Sequence, residues 1–198
     1  MNRIYILICA ALLISTVSQA RAESYDAVKD GCAASGGVWS YEGYRAGDGA
    51  YLPMVYGHAP ITEVSKYGID ASFIPDSGQP YYPFVARFPG MLVGSPATLG
   101  KRFDLVLTWT APRGGDAVFS GYARLMGGVK GGSKGGKVKA FLMHGGKILW
   151  AADIEGGATG EFKVSEGVAA GDKVRLHIQN AGGSSGDITA FDMGVEAP

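Results

Sequence analysis

Trp39, Tyr41, Tyr44, Tyr51, Tyr56, Tyr67, Tyr81 and Tyr82 crowd one part of this 198-residue chain. Sugar rings present C–H faces that stack on aromatic planes, and a phenol or indole can also hydrogen-bond ring hydroxyls, so the composition suits a saccharide platform. In a segment with few aliphatics the same rings also serve as core filler. A rim platform drawn from Trp39, Tyr41, Tyr44, Tyr81 and Tyr82 is the first expectation. A second group is cationic. No acid occurs between Asp116 and Asp153, yet Arg124, Lys130, Lys134, Lys137, Lys139 and Lys147 do. Lys130, Lys134 and Lys137 are the expected contacts to an acidic polysaccharide or lipid head group, with a plain solvated hairpin loop as the alternative. Glycines at 127, 128, 131, 132, 135 and 136 loosen this loop, so ordering it on a ligand costs about 1 to 2 kcal/mol per residue fixed.

Chemistry of the bond-breaking kind has weaker candidates. His58, His144 and His177 lie far apart, with no nucleophile elbow or metal-ligand pair beside any of them. His177 alternates with Arg175 between Leu176 and Ile178, which predicts a position on a solvated or sheet-covered face. The pairs Asp70/Asp76 and Glu42/Asp48 could do acid–base work on a glycosidic bond only if the fold brought two carboxyls to about 5 to 10 Å. Asp172, Asp187 and Asp192 could hold a structural calcium between loops, but no D-x-D-x-D spacing is present, and turn formation or capping accounts for them. No catalytic residue, metal ligand or cofactor is expected.

These side chains need a scaffold, and composition narrows it. Gly is 32 of 198 residues and charged residues only 18%, with 46% apolar and 11% aromatic, which excludes disorder by composition; the glycines have no three-residue period, which excludes collagen. Basic and acidic side chains are both 18, so no net field draws in nucleic acid. In Phe103-Asp-Leu-Val-Leu-Thr-Trp-Thr110 the apolar residues alternate, which predicts a pleated strand that Pro112 and Gly114-Gly115 end. Further strands are predicted at 117–125, 137–144, 147–154, 161–165, 173–179 and 188–195, with His144-Gly-Gly-Lys147 as a tight hairpin. Strands of this length between turn signals, with no useful 3.6-residue period, predict an all-β antiparallel β-sandwich or jelly roll. Residues 23–100 hold most of the tyrosines and prolines and should form a loop-rich rim with edge strands at 38–44 and 83–88 and a helical turn within 24–34. Residues 101–198 should supply the core strands of one domain spanning 23–198. Two-sided apolar pairs such as Val118-Phe119 and Phe141-Leu142 imply cover over the outer sheet, from the N-terminal segment or from a partner.

The first 22 residues read as a signal peptide: Arg3 is followed by an apolar run from Ile4 to Val17 and an Ala20-Arg21-Ala22 ending. Its removal leaves 16 basic against 18 acidic side chains and one thiol, Cys32. No later segment is apolar over the roughly 20 residues a spanning helix needs. The expected locations are therefore secreted, periplasmic or cell-surface, without a membrane span.

Gly36-Gly-Val-Trp-Ser-Tyr41, Pro80-Tyr-Tyr-Pro-Phe-Val85, Trp109-Thr-Ala-Pro-Arg-Gly-Gly115, Ala170-Gly-Asp-Lys-Val-Arg-Leu-His-Ile178 and Asp187-Ile-Thr-Ala-Phe-Asp192 occur in an order that resembles bacterial exported β-sandwich proteins loosely related to carbohydrate-binding jelly rolls. The C-terminal half is also similar to the jelly roll of the complement and tumour-necrosis-factor superfamily, where a Gly-Asp turn opens a late strand. The resemblance implies fold. The function expected is noncatalytic recognition of carbohydrate or another cell-envelope polymer. A self-associating homo-oligomeric surface protein is the alternative, and a polysaccharide-active enzyme the third. Protein recovered from its host should have an intact mass that starts at or within a few residues of Glu23; an exported fraction that retains residues 1–22 would contradict the leader reading.

Overall fold

A computed structural model describes residues 22–30, 37–57, 71–73, 83–88, 90–96, 102–128, 136–182 and 187–198. The leader reading for residues 1–22 falls almost wholly outside them, as do Cys32, His58, Tyr67, Asp70, Asp76, Tyr81, Tyr82, Lys130 and Lys134.

In chain order the elements are β1 (Glu23–Asp26), α1 (Ala27–Asp30), β2 (Trp39–Arg45), β3 (Ala50–Pro53), β4 (Val55–Gly57), β5 (Ala71–Phe73), β6 (Phe84–Phe88) and β7 (Met91–Ser95). They continue as β8 (Phe103–Thr110), β9 (Gly115–Gly128), β10 (Lys137–His144), β11 (Lys147–Glu155), β12 (Thr159–Val168), β13 (Lys173–Gly182) and β14 (Asp187–Ala197). All pairings are antiparallel, in an eight-stranded sheet ordered β12-β9-β14-β7-β6-β5-β4, with β1 also on β14, and a six-stranded sheet ordered β11-β10-β13-β8-β2-β3. This is the predicted all-β sandwich. Residues 103–110 and 137–144 are strands with the predicted bounds, and the other C-terminal strands run a few residues longer. Gly145 closes the β10–β11 turn at φ 56°, a left-handed conformation that glycine adopts without a Cβ clash.

The N-terminal part carries more strand than expected: β2 and β3 extend the six-stranded sheet, while β1 and β4 to β7 build much of the other. β2 and β6 fall on the strands expected at 38–44 and 83–88, each inside its sheet and not at an edge; in β6, Phe84, Val85 and Ala86 are consecutive and all buried. The helical turn is the single one of α1, capped by Asp26, whose Oδ1 accepts the Val28 and Lys29 N–H groups at 3.0 and 2.9 Å.

Between the sheets, Leu105, Leu107 and Trp109 from β8 meet Phe119 of β9 and Phe191 and Met193 of β14. Trp109 and Phe119 cross the interface edge to face, centroids 5.4 Å apart, and Trp150 of β11 packs on Phe162 of β12 at 5.1 Å. Phe162 fits because its neighbour on β9 is glycine: a Cβ on Gly121 would lie 2.7 Å from the ring tip. The Trp109 indole N–H has no hydrogen-bond partner among the described residues, so that ring contributes by apolar burial.

Trp109→Ala should therefore cost about 3 to 5 kcal/mol, Trp109→Phe clearly less, and Ser120→Ala, on an exposed position of β9, within about 0.5 kcal/mol. Urea denaturation midpoints of the three variants check this order.

Candidate functional site

Register decides which side chains meet on the outer face of the six-stranded sheet. Directly paired residues share a face, and the pairs Tyr44↔Asp104, Glu42↔Val106, Tyr44↔Tyr51, Thr108↔Arg175, Val106↔His177 and His177↔Phe141 join five strands, β3, β2, β8, β13 and β10. From the N-terminal part, β2 and β3 extend this face as further strands of the same sheet. Asp104, Val106 and Thr108 point away from Leu105, Leu107 and Trp109 as the alternation predicts, yet they too are buried.

His177 sits at the centre, 1% exposed. Phe141 stacks on it at 4.7 Å and 18°, while Tyr44 and Tyr51 meet it edge to face at 5.5 and 5.6 Å. Its Nε2 and the Tyr51 hydroxyl are 3.1 Å apart. Its Nδ1 has no hydrogen-bond partner among the described residues and lies 3.9 Å from Asp104 Oδ2. Gln179 Nε2 donates to both oxygens of Asp104 at 3.4 Å. Around this buried centre, Tyr44, Tyr51 and Phe141 remain partly exposed.

Beside the rings lies a charged group. Glu42, 8% exposed, accepts Thr108 Oγ1–H at 2.6 Å and Arg175 Nε–H at 3.2 Å, with Lys173 Nζ at 3.5 Å. The Arg175 guanidinium lies over the Tyr51 ring, 3.9 Å from its centroid, a cation–π contact that fixes both. Burial pushes the Glu42 carboxyl up, but the hydrogen bonds from Thr108 and Arg175 and the charges of Arg175 and Lys173 outweigh it and hold Glu42 below the usual carboxylate range. Burial raises the Tyr51 phenol against the opposing charge of Arg175, so Tyr51 stays protonated.

The structure brings one sequence-predicted residue, Tyr44, into this face and removes two. Trp39 and Tyr41 are buried between the sheets, opposite Trp109 and Leu107, which corrects their assignment to an exposed platform: on β2 the odd positions point inward and the even ones outward. Lys137 lies on the same outer face at the far end of β10, paired to Glu155 at 2.8 Å. Tyr81, Tyr82, Lys130 and Lys134 lie outside the described residues. Glu42 and Asp48 form no acid–base pair, because Arg45 engages Asp48 while Arg175 and Lys173 engage Glu42. Sequence reasoning missed Phe141, Arg175, Gln179, Asp104 and the role of Glu42; the signal was Arg175-Leu-His-Ile-Gln179, whose alternation puts Arg, His and Gln on one face.

His144 lies elsewhere, at the sandwich edge. Its Nδ1 is 3.2 Å from Glu166 Oε1 and its Nε2 3.0 Å from Asp172 Oδ2, while Lys147 holds the other Glu166 oxygen at 2.8 Å. This group ties β10 to β12 and to the turn before β13. Asp172 is thus a turn residue, also accepting the Ala169 N–H at 2.7 Å, and Asp192 accepts its neighbour's N–H from Met193. Among the described residues no three His, Cys, Asp or Glu side chains are grouped to hold a metal ion, and no helix is long and apolar enough to cross a membrane.

No protein-family model matches the chain, and no curated protein matches it. Solved structures similar to it include a CBM4 structure (TM-score 0.38, 13% identity, 81% of this chain and 86% of that one). They also include the K1 cleaved adhesin domain of Lys-gingipain from Porphyromonas gingivalis W83 (0.38, 15%, 90% and 99%). A family 35 carbohydrate binding module from Clostridium thermocellum is similar at 0.32 and 12% identity, over 80% and 99%.

Because the folded pKa of Glu42 is lowered, its stabilisation is complete above the unfolded carboxylate value of about 4.3 and is lost as pH falls through the folded value. Thr108→Val, which removes a hydrogen bond to a charged acceptor, should cost about 1.5 to 3 kcal/mol at neutral pH. The gap to wild type should shrink in acid. Urea midpoints at pH 7 and below pH about 4 check this; a gap independent of pH would mean that Glu42 is not the acceptor.

Proposed function

We propose that the chain is an exported, noncatalytic module that binds a saccharide chain on the outer face of the six-stranded sheet. One observation carries the reading: the partly exposed rings of Tyr44, Tyr51 and Phe141 share a face with Arg175, Glu42, Asp104 and Gln179. Rings of this kind stack on sugar C–H faces, and flanking donors and acceptors fix the hydroxyls. The rings are held in place by the His177 hydrogen bond and the Arg175 contact, so little ordering entropy is lost on binding.

A noncatalytic role is supported by the carboxyls. Glycoside hydrolysis needs one carboxyl that stays protonated until it meets the leaving oxygen. Glu42 is held ionised, and Asp104 is 5% exposed beneath the rings. Residues 1–22 act as the export signal that places the module at the cell envelope.

Electrophoresis of the purified chain through gels containing soluble polysaccharides tests the reading. Tyr44→Ala and Tyr51→Ala should lose retention on the polymer that slows the wild type. Retention should survive salt well above about 0.15 M, where the Debye length is about 8 Å, because stacking is not screened. Loss of retention on Lys130, Lys134 and Lys137→Gln with steep salt dependence would instead put recognition in the basic loop. A stable multimer that no polymer retains would favour the structural alternative.

A further inference from the structure

The opposite face of the sandwich carries a groove that the platform does not use. On the outer face of the eight-stranded sheet, Tyr122 of β9 pairs with Asp192 of β14 and with Glu161 of β12. Two cavities flank this row. One, of about 450 Å³, is lined by Tyr122, Arg124, Met126, Thr159 and Glu161, with Met91 at its edge. The other, of about 600 Å³, lies between Asp192, Asp26, Lys29 and Arg87, with Phe88 beside them. Each is within the size range of small-ligand sites, and Tyr122 in the first is the paired neighbour of Asp192 in the second.

The lining is equipped for hydroxyl groups. Among the described residues, no hydrogen bond or ion pair engages the Tyr122 hydroxyl, the Thr159 hydroxyl, Arg124 or Glu161. Arg124 and Glu161 are diagonal neighbours across β9 and β12, and with Thr159 they are exposed at the surface. Charge balances in both cavities, Arg124 against Glu161 in one and Lys29 and Arg87 against Asp26 and Asp192 in the other. Neither favours an anion or a cation. Met126, 55% exposed, and the Tyr122 ring add apolar surface broken by those polar groups, which suits an amphipathic sugar ring better than the continuous apolar patch of a protein partner.

We infer that this groove is a second saccharide site, for a neutral glycan chain, so that one molecule joins two chains. The inference rests on the saccharide reading of the first face. Its new content follows from the architecture: the two faces lie back to back across a core about 10 Å thick, so a sugar on one cannot touch the other. Binding at both makes the module a cross-linker, and multivalent attachment to a polymer gains avidity without any new contact.

Wild type is mixed with soluble mixed-linkage β-glucan, glucomannan and arabinoxylan, and turbidity is followed as protein is added. Oligosaccharides cut from the retained polymer are then titrated calorimetrically. Wild type should precipitate the polymer and titrate with two sites per chain. Tyr122→Ala should abolish precipitation, lose one site or weaken it by about tenfold or more, as for removal of a stacking ring, and keep the other. Arg124→Gln with Glu161→Gln, both at the surface, should do the same if Tyr122→Ala fails to fold. Wild type with a single site that Tyr51→Ala removes and Tyr122→Ala leaves untouched overturns this inference and leaves the first reading standing. A single site removed only by Tyr122→Ala overturns the first reading and with it the bivalent module. No retention by any of the three polymers overturns the neutral-glycan groove, while retention on an acidic polymer alone would keep the first face.

Discussion

Strand β8 is buried on both faces, and that constraint shapes the rest of the molecule. One row of its side chains enters the inter-sheet core, where apolar burial suffices. The other row carries Asp104 and Thr108 into a layer that is also closed to water, and a buried polar group without a partner costs about 1 to 3 kcal/mol. Glu42, Arg175, Gln179 and His177 are the response. They come from the neighbouring strands β2 and β13, so satisfying β8 places a polar network under the aromatic rings. The candidate platform is a consequence of making a doubly buried strand tolerable.

Cross-sheet contacts then hold that face at a fixed position. Trp109 on Phe119 and Trp150 on Phe162 lock the two sheets through shape, and the His144, Glu166, Asp172 and Lys147 group closes one edge electrostatically. Rigidity of this kind matters for a recognition surface, because rings ordered in advance lose little entropy when a ligand arrives.

The two outer faces differ in physical character. On the six-stranded sheet Glu42 and Asp104 are bonded to neighbouring side chains, and what remains for a ligand is aromatic surface with the partly exposed Arg175 and Gln179 beside it. On the eight-stranded sheet, among the described residues, no hydrogen bond or ion pair engages Arg124, Thr159 or Glu161 beside Tyr122, and the surface is grooved. The first offers a platform, the second a channel. Both are built by period-two alternation outside the same core.

Alternation and turn chemistry made the fold class legible before any coordinates: Phe103 to Thr110, the Gly145-Gly146 turn and the Gly-Asp turn before Lys173 read as strand, hairpin and strand. The same rule could have separated Trp39 and Tyr41 from Tyr44, since inward and outward positions alternate, but which parity faces the core depends on the pairing of β2 with β8. Strands β2 and β6 were legible, whereas β1, β3, β4 and β5 have only three or four residues each, too few for alternation to register. The sequence by itself determined strands, turns, the absence of a strong net charge and the supply of aromatic side chains, because these are properties of neighbouring residues. Only tertiary structure decided that Tyr44 and Tyr51 meet His177, and that Arg175 reaches Glu42 across a separation of 133 residues. Those contacts are set by strand order and register, which local sequence does not encode.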